Sequence, residues 1–376
     1  RKIFVNRGIT YDSSCVYWRR TKLTRPILQR WIRQQRQQKG ISITDRREFL
    51  ITGSMAAASA FVTHGPAASD PVSAVKALKT LKMQDATFRL LQLTDIHFFA
   101  GYKYDPENAR KGNIRSSDAI RLLVEKTNPH LILVTGDFWH NNPDHRGAEF
   151  MDYAVSQLES LGVPWAYTWG NHDQLDDVAV GHHRLSEARN SLYAGQDSDG
   201  NYVLRVTRQD QPVMEIFCLN THREGSREAE RRWLAAAAGS EEANRPYRMV
   251  AMHIPLKQYA EVWDNGTARG FIGEDVCFEA EDGESLGAFA RCGIQAVICG
   301  HDHENDYEGE MNGVRLIYGR STGIFSYGAL TLAKGGKLYT FKPETAALSW
   351  QSHFFNGKTW VPGTDERIDK RKKEDA

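Results

Sequence analysis

Residues 130–137 read HLILVTGD, an uninterrupted apolar run that ends in a glycine and an aspartate. A continuous apolar run of this length predicts a β-strand covered on both faces, as in the parallel sheets of α/β proteins. Two similar segments flank it, FRLLQLTD at 88–95 and PWAYTWGNHD at 164–173. Apolar residues at helical spacing fill the two intervals. The order strand, helix, strand, helix, strand predicts a parallel sheet with right-handed crossovers.

The helix in the first interval places Ile120, Leu123 and Val124 on one face and stops near Pro129. Ser116 or Ser117 is the expected N-cap, because a hydroxyl can accept a hydrogen bond from the first turn. A second apolar stripe between residues 150 and 161 predicts the next helix. Further strands are predicted at 203–208, 213–220, 247–253, 293–300 and 314–319, with antiparallel strands in 329–354.

Polar side chains follow these strands where each strand ends. They are Asp95 and His97 in LTDIH, Asp137 in VTGDFWH, Asn171 and His172 in WGNHD, His253 in AMHIP, and His301 and His303 in ICGHDHEND. In open α/β sheets, ligands bind at the carboxyl ends of the strands. A buried carboxylate or imidazole there is costly unless it is paired or bound to a metal. About seven convergent ligands are too many for one zinc ion and favour a pair of metal ions.

The ordered set D-x-H, G-D, G-N-H-D, a lone His and G-H-x-H resembles the calcineurin-like metallophosphoesterase family over roughly residues 88–330. HIPLKQYAEVWDNG and GHDHENDYEGEMNGVRLIYG are further similar to the single-domain branch of purple-acid-phosphatase-like proteins. The resemblance implies an α/β fold, the metallophosphoesterase β-sandwich of two mixed sheets flanked by helices. It also implies a small phosphate ester as substrate.

The resemblance also implies a role for each residue. Two divalent ions (Mn, Fe, Zn or Co) would be bound, the first by Asp95, His97, Asp137 and His303, the second by Asp137, Asn171, His253 and His301. Asp137 would bridge the two ions, and a hydroxide between them would attack the phosphate. His172 would protonate the leaving group as general acid, with Asp173 orienting it, although His172 could instead be a structural histidine behind the ligands.

One position departs from the purple enzymes, in which a tyrosine three residues after the G-D aspartate binds ferric iron. Here that position is His140, and His97 of the D-x-H motif is present. We therefore expect a colourless protein with no phenolate ligand. We expect His140 either to lie behind the metal ligands or to face the substrate, rather than to bind a metal itself.

Three functions are compatible with these residues. The favoured one is an exported binuclear-metal phosphomonoesterase; the others are a phosphodiesterase or nucleotidase with the same site, and a non-catalytic metal-binding module. His182, His183, His222 and Arg223 are weaker candidates for substrate contacts and could simply be exposed. Tyr259, Trp263 and Phe271 either line a substrate pocket or pack in the core.

The remaining features concern the whole chain of 376 residues. Lys plus Arg number 48 against 47 Asp plus Glu, so nucleic acid is not an expected partner. Arg46-Arg47, followed by a short Ala/Ser/Gly-rich run, resembles a twin-arginine export signal and predicts a periplasmic or extracellular protein; a short amphipathic helix that begins with two arginines is the alternative. That run is too short to span a membrane. Residues 1–40 are interpreted as sequence not native to the protein or as an Arg-rich organelle transit peptide.

We interpret residues 1–70 as a targeting segment or as sequence not native to the mature protein, 71–360 as the catalytic domain and 361–376 as a charged, solvated tail. The cysteines form no C-x-x-C pair, so buried free thiols or a Cys277–Cys292 disulfide are expected. The oligomeric state is left open.

Overall fold

The computed structural model describes residues 77–239 and 245–371. The predicted targeting segment 1–70 lies outside the described residues, as does the end of the predicted tail.

The helices and strands of the described residues follow in chain order. The helices are α1 (Pro106–Thr127), α2 (Gly147–Glu159), α3 (Val178–Glu187), α4 (Glu228–Ala238), α5 (Gln258–Asp264) and α6 (Ser285–Arg291). The strands are β1 (Leu78–Met83), β2 (Phe88–Leu93), β3 (Leu131–Thr135), β4 (Trp165–Thr168), β5 (Tyr202–Arg208), β6 (Gln211–Cys218), β7 (Tyr247–Ala251), β8 (Arg269–Ile272), β9 (Ala296–Cys299), β10 (Asn305–Met311), β11 (Val314–Tyr318), β12 (Gly335–Lys342), β13 (Ala347–Phe354), β14 (Thr359–Trp360) and β15 (Arg367–Asp369).

Within residues 77–239 and 245–371, these strands form two mixed sheets. The larger sheet has the order β1-β5-β6-β7-β9-β11-β10-β8-β15, and the smaller has the order β14-β13-β12-β2-β3-β4. β2, β3 and β4 pair in parallel, as predicted. β12 and β13 form the predicted antiparallel pair. The predicted fold class, an α/β sandwich of two mixed sheets flanked by helices, is therefore confirmed.

Alternate side chains of the larger sheet face two different cores. On β7, Met249 and Ala251 lie in the core that also holds Leu91 of β2 and Ile132 of β3. Val250, between them, lies in the second core with apolar residues of α4, α5 and α6. This period of two is expected when a strand is buried on both faces. The larger sheet therefore packs against the smaller sheet on one side and against helices on the other.

The predicted start of the first helix is wrong. The helix begins at Pro106, and the Asp105 carboxylate accepts a hydrogen bond from the Asn108 backbone N at 3.0 Å. An aspartate N-cap followed by proline in the first turn is a strong start signal, because proline lacks an N–H that would otherwise need a partner. Ser116 and Ser117 are buried within the helix.

The short strand β15 near the end of the described chain was also not predicted. β15 pairs in parallel with β8, so part of the segment predicted as a solvated tail belongs to the larger sheet.

The disulfide between Cys277 and Cys292, one of the two predicted states of the cysteines, does not form, because Cys292 is a free thiol. Cys218 and Cys299 are buried free thiols, as expected.

Candidate metal centre

The predicted ligands meet at the carboxyl ends of parallel strands from both sheets. The smaller sheet contributes Asp95 and His97 after β2, Asp137 after β3 and Asn171 after β4, and the larger sheet contributes His253 after β7 and His301 and His303 after β9. The structure brings all seven together, in two sets that share Asp137.

The first set comprises Asp95, His97, Asp137 and His303, with donor atoms within 4.8 Å of one another. His97 Nε2 lies 3.3 Å from Asp137 Oδ2 and 3.2 Å from His303 Nε2. His303 Nε2 in turn lies 3.3 Å from Asp95 Oδ1. All four side chains are buried.

The second set comprises Asp137, His253 and His301, with Asn171 beside them. His253 Nε2 lies 3.3 Å from Asp137 Oδ2, the same oxygen that faces His97. Asn171 Oδ1 lies 2.9 Å from His253 Nε2 and 3.1 Å from His301 Nδ1. One carboxylate oxygen therefore faces both groups of donors.

The spacing of these donor atoms fits coordination of a metal. Imidazole nitrogens and carboxylate oxygens bind ions such as zinc at about 2.0–2.2 Å, which places neighbouring donors about 3 Å apart. The contacts between the His253, Asn171, Asp137 and His97 donors span 2.9 to 3.3 Å. Mixed imidazole, amide and carboxylate donors suit divalent transition metals. The cluster can therefore hold a divalent metal.

Two imidazoles are fixed by backbone carbonyl groups. His253 Nδ1 lies 2.9 Å from the Thr135 carbonyl oxygen, and His303 Nδ1 lies 3.3 Å from the Tyr327 carbonyl oxygen. A carbonyl can only accept, so each Nδ1 carries the proton. The lone pair at Nε2 then points into the cluster, as metal coordination requires.

The pKa values of the cluster follow from burial and close contact. Burial lowers the pKa of His97 well below its usual value, although Asp137 opposes this change. Burial acts to raise the pKa of Asp137, but the imidazoles of His253, His172 and His97 hold it well below its usual range. For His253, burial is outweighed by Asp137, and the pKa rises to about 10. A metal must therefore compete with a proton on His253, and its affinity should fall as the pH falls.

The backbone is strained at four of the predicted ligands. Asp95, His97, Asp137 and His301 have φ values of 54°, 48°, 53° and 79°, in the left-handed region that residues with a side chain rarely adopt. Gly300 precedes one of them, and a Cβ there would overlap the Thr94 hydroxyl. Such strain costs on the order of 1–3 kcal/mol per residue and is concentrated at functional sites.

His172 is partly buried beside the cluster, with its ring against that of His97. Its backbone N donates to Asp137 Oδ1 at 2.9 Å, and its Nδ1 lies 2.8 Å from Asn141 Oδ1. Burial lowers the pKa of His172, with Asp137 acting in the opposite direction. Its Nε2 makes no hydrogen bond to any residue that the structure describes, so it is available to a substrate.

The Asp173 carboxylate forms no hydrogen bond with the His172 ring, contrary to the sequence-based expectation. Its carboxylate accepts hydrogen bonds from backbone N–H groups of Asp137, Phe138, Trp139 and Gly170 and from the Tyr167 hydroxyl. Burial and the charge of Asp137 raise the pKa of Asp173 to about 7. Asp173 therefore organises the loop that carries Asp137. Sequence reasoning missed Asn141, which holds the ring and carries no motif.

The weaker candidates for contact with a substrate have other partners or lie elsewhere in the fold. His182 is buried, with Nδ1 2.5 Å from the Tyr193 hydroxyl, and His222 Nε2 lies 3.1 Å from Asp199. The remaining positions are the exposed His183 and Arg223, the partly buried Phe271, and Tyr259 and Trp263 in the second core. The last two therefore pack in the interior rather than line a pocket.

None of the helices in residues 77–239 and 245–371 combines the length and apolarity needed to cross a membrane.

The chain is similar to several known proteins. The family model for calcineurin-like phosphoesterases matches residues 88–305. The chain is 26% identical over 330 residues to probable inactive purple acid phosphatase 28 of Arabidopsis thaliana, covering 76% of this chain and 83% of the relative. It is 23% identical over 322 residues to phosphatase DCR2 of Saccharomyces cerevisiae, covering 73% of this chain and 55% of the relative.

Solved structures of similar proteins include a dimetal phosphatase from Danio rerio, with a TM-score of 0.42, 14% identity and coverage of 67% of this chain and 92% of that chain. A purple acid phosphatase from yellow lupin (Lupinus luteus) seeds aligns with a TM-score of 0.43 and 14% identity, over 76% of this chain and 55% of that chain. The family match extends over more than half of the chain and includes every predicted ligand. The protein belongs to the calcineurin-like phosphoesterase family.

Proposed function

We propose that this protein hydrolyses phosphate monoesters with the help of two divalent metal ions. The observation that carries the proposal is the buried Asp137 carboxylate, whose Oδ2 lies 3.3 Å from both His97 Nε2 and His253 Nε2. One ion would be held by Asp95, His97, Asp137 and His303, and the other by Asp137, Asn171, His253 and His301. When bound, two such ions supply Lewis acidity, which activates water and neutralises phosphoryl charge.

His172 is the proposed general acid. Its Nδ1–H donates to Asn141 Oδ1, and Gln174 Nε2 donates to the same oxygen at 3.0 Å, which fixes the amide. His172 Nε2 is then the nitrogen that can carry a proton to the leaving oxygen. Proton donation by a positioned side chain typically contributes about 10²–10⁴-fold to the rate.

A non-catalytic metal-binding module is the second candidate, because three similar proteins of Arabidopsis thaliana carry the word inactive in their names. The complete donor set and the available Nε2 of His172 support catalysis instead.

The test is turnover of p-nitrophenyl phosphate and bis(p-nitrophenyl) phosphate, with and without a chelator. We expect faster turnover of the monoester, loss of activity after chelation and recovery with added metal. Preference for the diester would favour a phosphodiesterase, and no turnover of either ester by metal-loaded protein would favour the non-catalytic module.

Asp137→Ala should lower the bound metal content and reduce turnover to background, because both donor sets lose a shared ligand. Asp118→Ala, which removes an exposed carboxylate on α1, is the control and should behave as wild type. Wild-type activity in Asp137→Ala would refute the two-metal centre.

We also propose export of the protein, on the basis of the Arg46-Arg47 segment alone. Fractionation of cells that express the full chain tests this, and an Arg46→Lys, Arg47→Lys variant should remain in the cytoplasm.

A further inference from the structure

His140 lies against the imidazole of a proposed metal ligand. The two Nδ1 atoms of His140 and His97 are 3.0 Å apart, a hydrogen-bonding distance that can hold only one proton. On its other side, His97 Nε2 faces Asp137 Oδ2 at 3.3 Å and His303 Nε2 at 3.2 Å. His97 therefore joins the donor cluster through one nitrogen and His140 through the other.

The direction of this hydrogen bond follows from coordination chemistry. A nitrogen that binds a metal must offer a lone pair, so the proton of a neutral His97 must reside on Nδ1. His140 Nδ1 must then accept that proton, and the proton of the neutral His140 ring lies on its Nε2. Thr135 and Tyr327 provide the equivalent acceptor for His253 and His303 through backbone carbonyl groups. At His97 a side chain performs this task.

His140 is itself held from two directions. Its backbone N donates to the Phe98 carbonyl oxygen at 2.9 Å. Its ring lies nearly parallel to the His172 ring, with centroids 4.9 Å apart and an interplanar angle of 13°. The His97 and His172 rings also contact each other edge to face at 5.1 Å. The same side chain thus touches both a proposed ligand and the proposed general acid.

We infer that His140 is a positioning residue that accepts the Nδ1–H of His97, directs His97 Nε2 toward the first metal, and supports the His172 ring by stacking. The inference rests on the proposed metal centre. It assigns two separable tasks to one side chain, because the hydrogen bond uses the ring edge and the stacking uses the ring face.

Two substitutions separate these tasks. His140→Asn places an amide oxygen near the position of Nδ1, so it keeps the acceptor and removes the stacked ring. His140→Phe keeps a ring against His172 and removes the acceptor. His145→Asn is the control for disturbance of the loop, because His145 is exposed and pairs with Asp176.

Metal affinity is the deciding measurement, by titration of metal-free protein with Mn²⁺ or Zn²⁺ against a competing chelator. We expect His140→Phe to weaken one of two sites by about 10–100-fold, the usual effect of losing the hydrogen-bond partner of a ligating histidine. His140→Asn and His145→Asn should stay within about threefold of wild type, because each keeps the acceptor at His97. Thermal unfolding without metal shows whether each variant folds.

A second measurement locates the proton on the His97 ring, and like the metal titration it does not depend on catalysis. In metal-loaded wild-type protein, ¹⁵N NMR of the histidine rings should place the proton of His97 on Nδ1. Wild-type affinity in folded His140→Phe, or a proton on His140 Nδ1 in the loaded protein, would overturn the inference. Failure of wild-type protein to bind any metal would instead refute the proposed metal centre, on which the inference depends.

Discussion

At the residue scale, hydrogen bonds between neighbouring residues hold the side chains of the cluster in place. Asp137 Oδ1 accepts the backbone N–H of His172, while Oδ2 faces His97 and His253. Asp173 in turn binds the backbone N–H of Asp137 at 2.9 Å. These links hold the carboxylate in one orientation before any ligand binds. Such preorganisation is what makes a polar site effective in catalysis.

The role of His172 can be tested with leaving groups of different quality. His172→Ala should retain its metals, because the ring is not among the donors. We expect hydrolysis of alkyl phosphates to slow by about 10²–10⁴-fold and hydrolysis of p-nitrophenyl phosphate to slow much less, since a stable leaving group needs little protonation. Turnover of both esters by His172→Ala and His145→Asn provides the comparison. Equal losses on both esters in His172→Ala would contradict the role of general acid.

The convergence of the proposed ligands could be anticipated from sequence, whereas several of their partners could not. Each ligand follows an apolar strand, and chain topology brings strand ends together, so Asp95 or His301 is recognisable by position alone. Asn141 and Tyr327 contact His172 and His303 from loops whose conformation depends on tertiary packing. Their residue types occur commonly on surfaces. The interaction partner of Asp173 was mispredicted because adjacency in sequence to His172 does not imply contact of side chains.

At the scale of single elements, β10 shows why a polar segment can be a buried strand. Its sequence, NDYEGEM, carries no apolar alternation. Glu308 nevertheless lies inside, where it accepts hydrogen bonds from Arg269 of β8 at 2.9 Å, Arg315 of β11 at 2.6 Å and the Trp350 indole of β13 at 2.8 Å. Pairing with two neighbouring strands and a side chain of the other sheet satisfies the carboxylate. Propensity alone could not identify this strand.

Glu308 should make stability depend on pH. Burial acts to raise its pKa, but Arg315 and the hydrogen bonds of Trp350 and Arg269 lower it from 4.5 to about 2. Because the folded pKa is lower than the unfolded pKa, the stabilisation is fully present above about pH 5 and is lost as the pH falls toward 2. Glu308→Gln should therefore lower the free energy of unfolding at pH 7 by on the order of 2–3 kcal/mol.

Urea unfolding from pH 7 to pH 3 measures this difference, which should shrink as the pH decreases. Glu310→Gln is the matched control, because Glu310 is on the same strand and exposed. A constant difference across this range would mean that the Glu308 carboxylate does not supply the stabilisation.

At the scale of the whole molecule, buried charges connect the two sheets. Asp306 on β10 of the larger sheet accepts hydrogen bonds from Lys337 on β12 at 2.6 Å and from Ser352 on β13 at 2.7 Å, both in the smaller sheet. Arg320 pairs with the same carboxylate. The Lys337 ammonium also lies 3.4 Å from the centre of the Trp350 ring. The side chains of Asp306 and Lys337 are both inaccessible to solvent.

Removal of one partner from this group should be costly. We expect Lys337→Met to lower the free energy of unfolding by about 3 kcal/mol, because a buried carboxylate loses one of its cations. Lys82→Met, which breaks an exposed ion pair on β1, should change it by less than about 1 kcal/mol. Chemical unfolding of both variants at neutral pH gives the comparison. Equal losses of unfolding free energy in the two variants would show that the buried Lys337–Asp306 pair contributes no more than the exposed pair of Lys82.

Most of the sandwich could be anticipated from the chain, because β2 to β7, β9 and β11 are apolar runs bounded by turns. The strands that were missed are short or polar. β8 and β15 become strands only through pairing with neighbours, a nonlocal effect that a pattern of residues does not contain. The start of α1 was missed for a different reason: the Asp105-Pro106 start signal lies more than three helical turns before Ile120, where the apolar stripe of the helix begins.

The strained backbone at Asp95, His97, Asp137 and His301 has a consequence for how such a protein changes over generations. Glycine would relax each of these positions, at the expense of the proposed ligand. A lineage released from the proposed activity would gain thermal stability by losing the proposed metal ligands while its sheets stayed intact. Laboratory selection for thermostability alone would take the same route, so a screen on this scaffold must also select at every round for the proposed metal-dependent turnover.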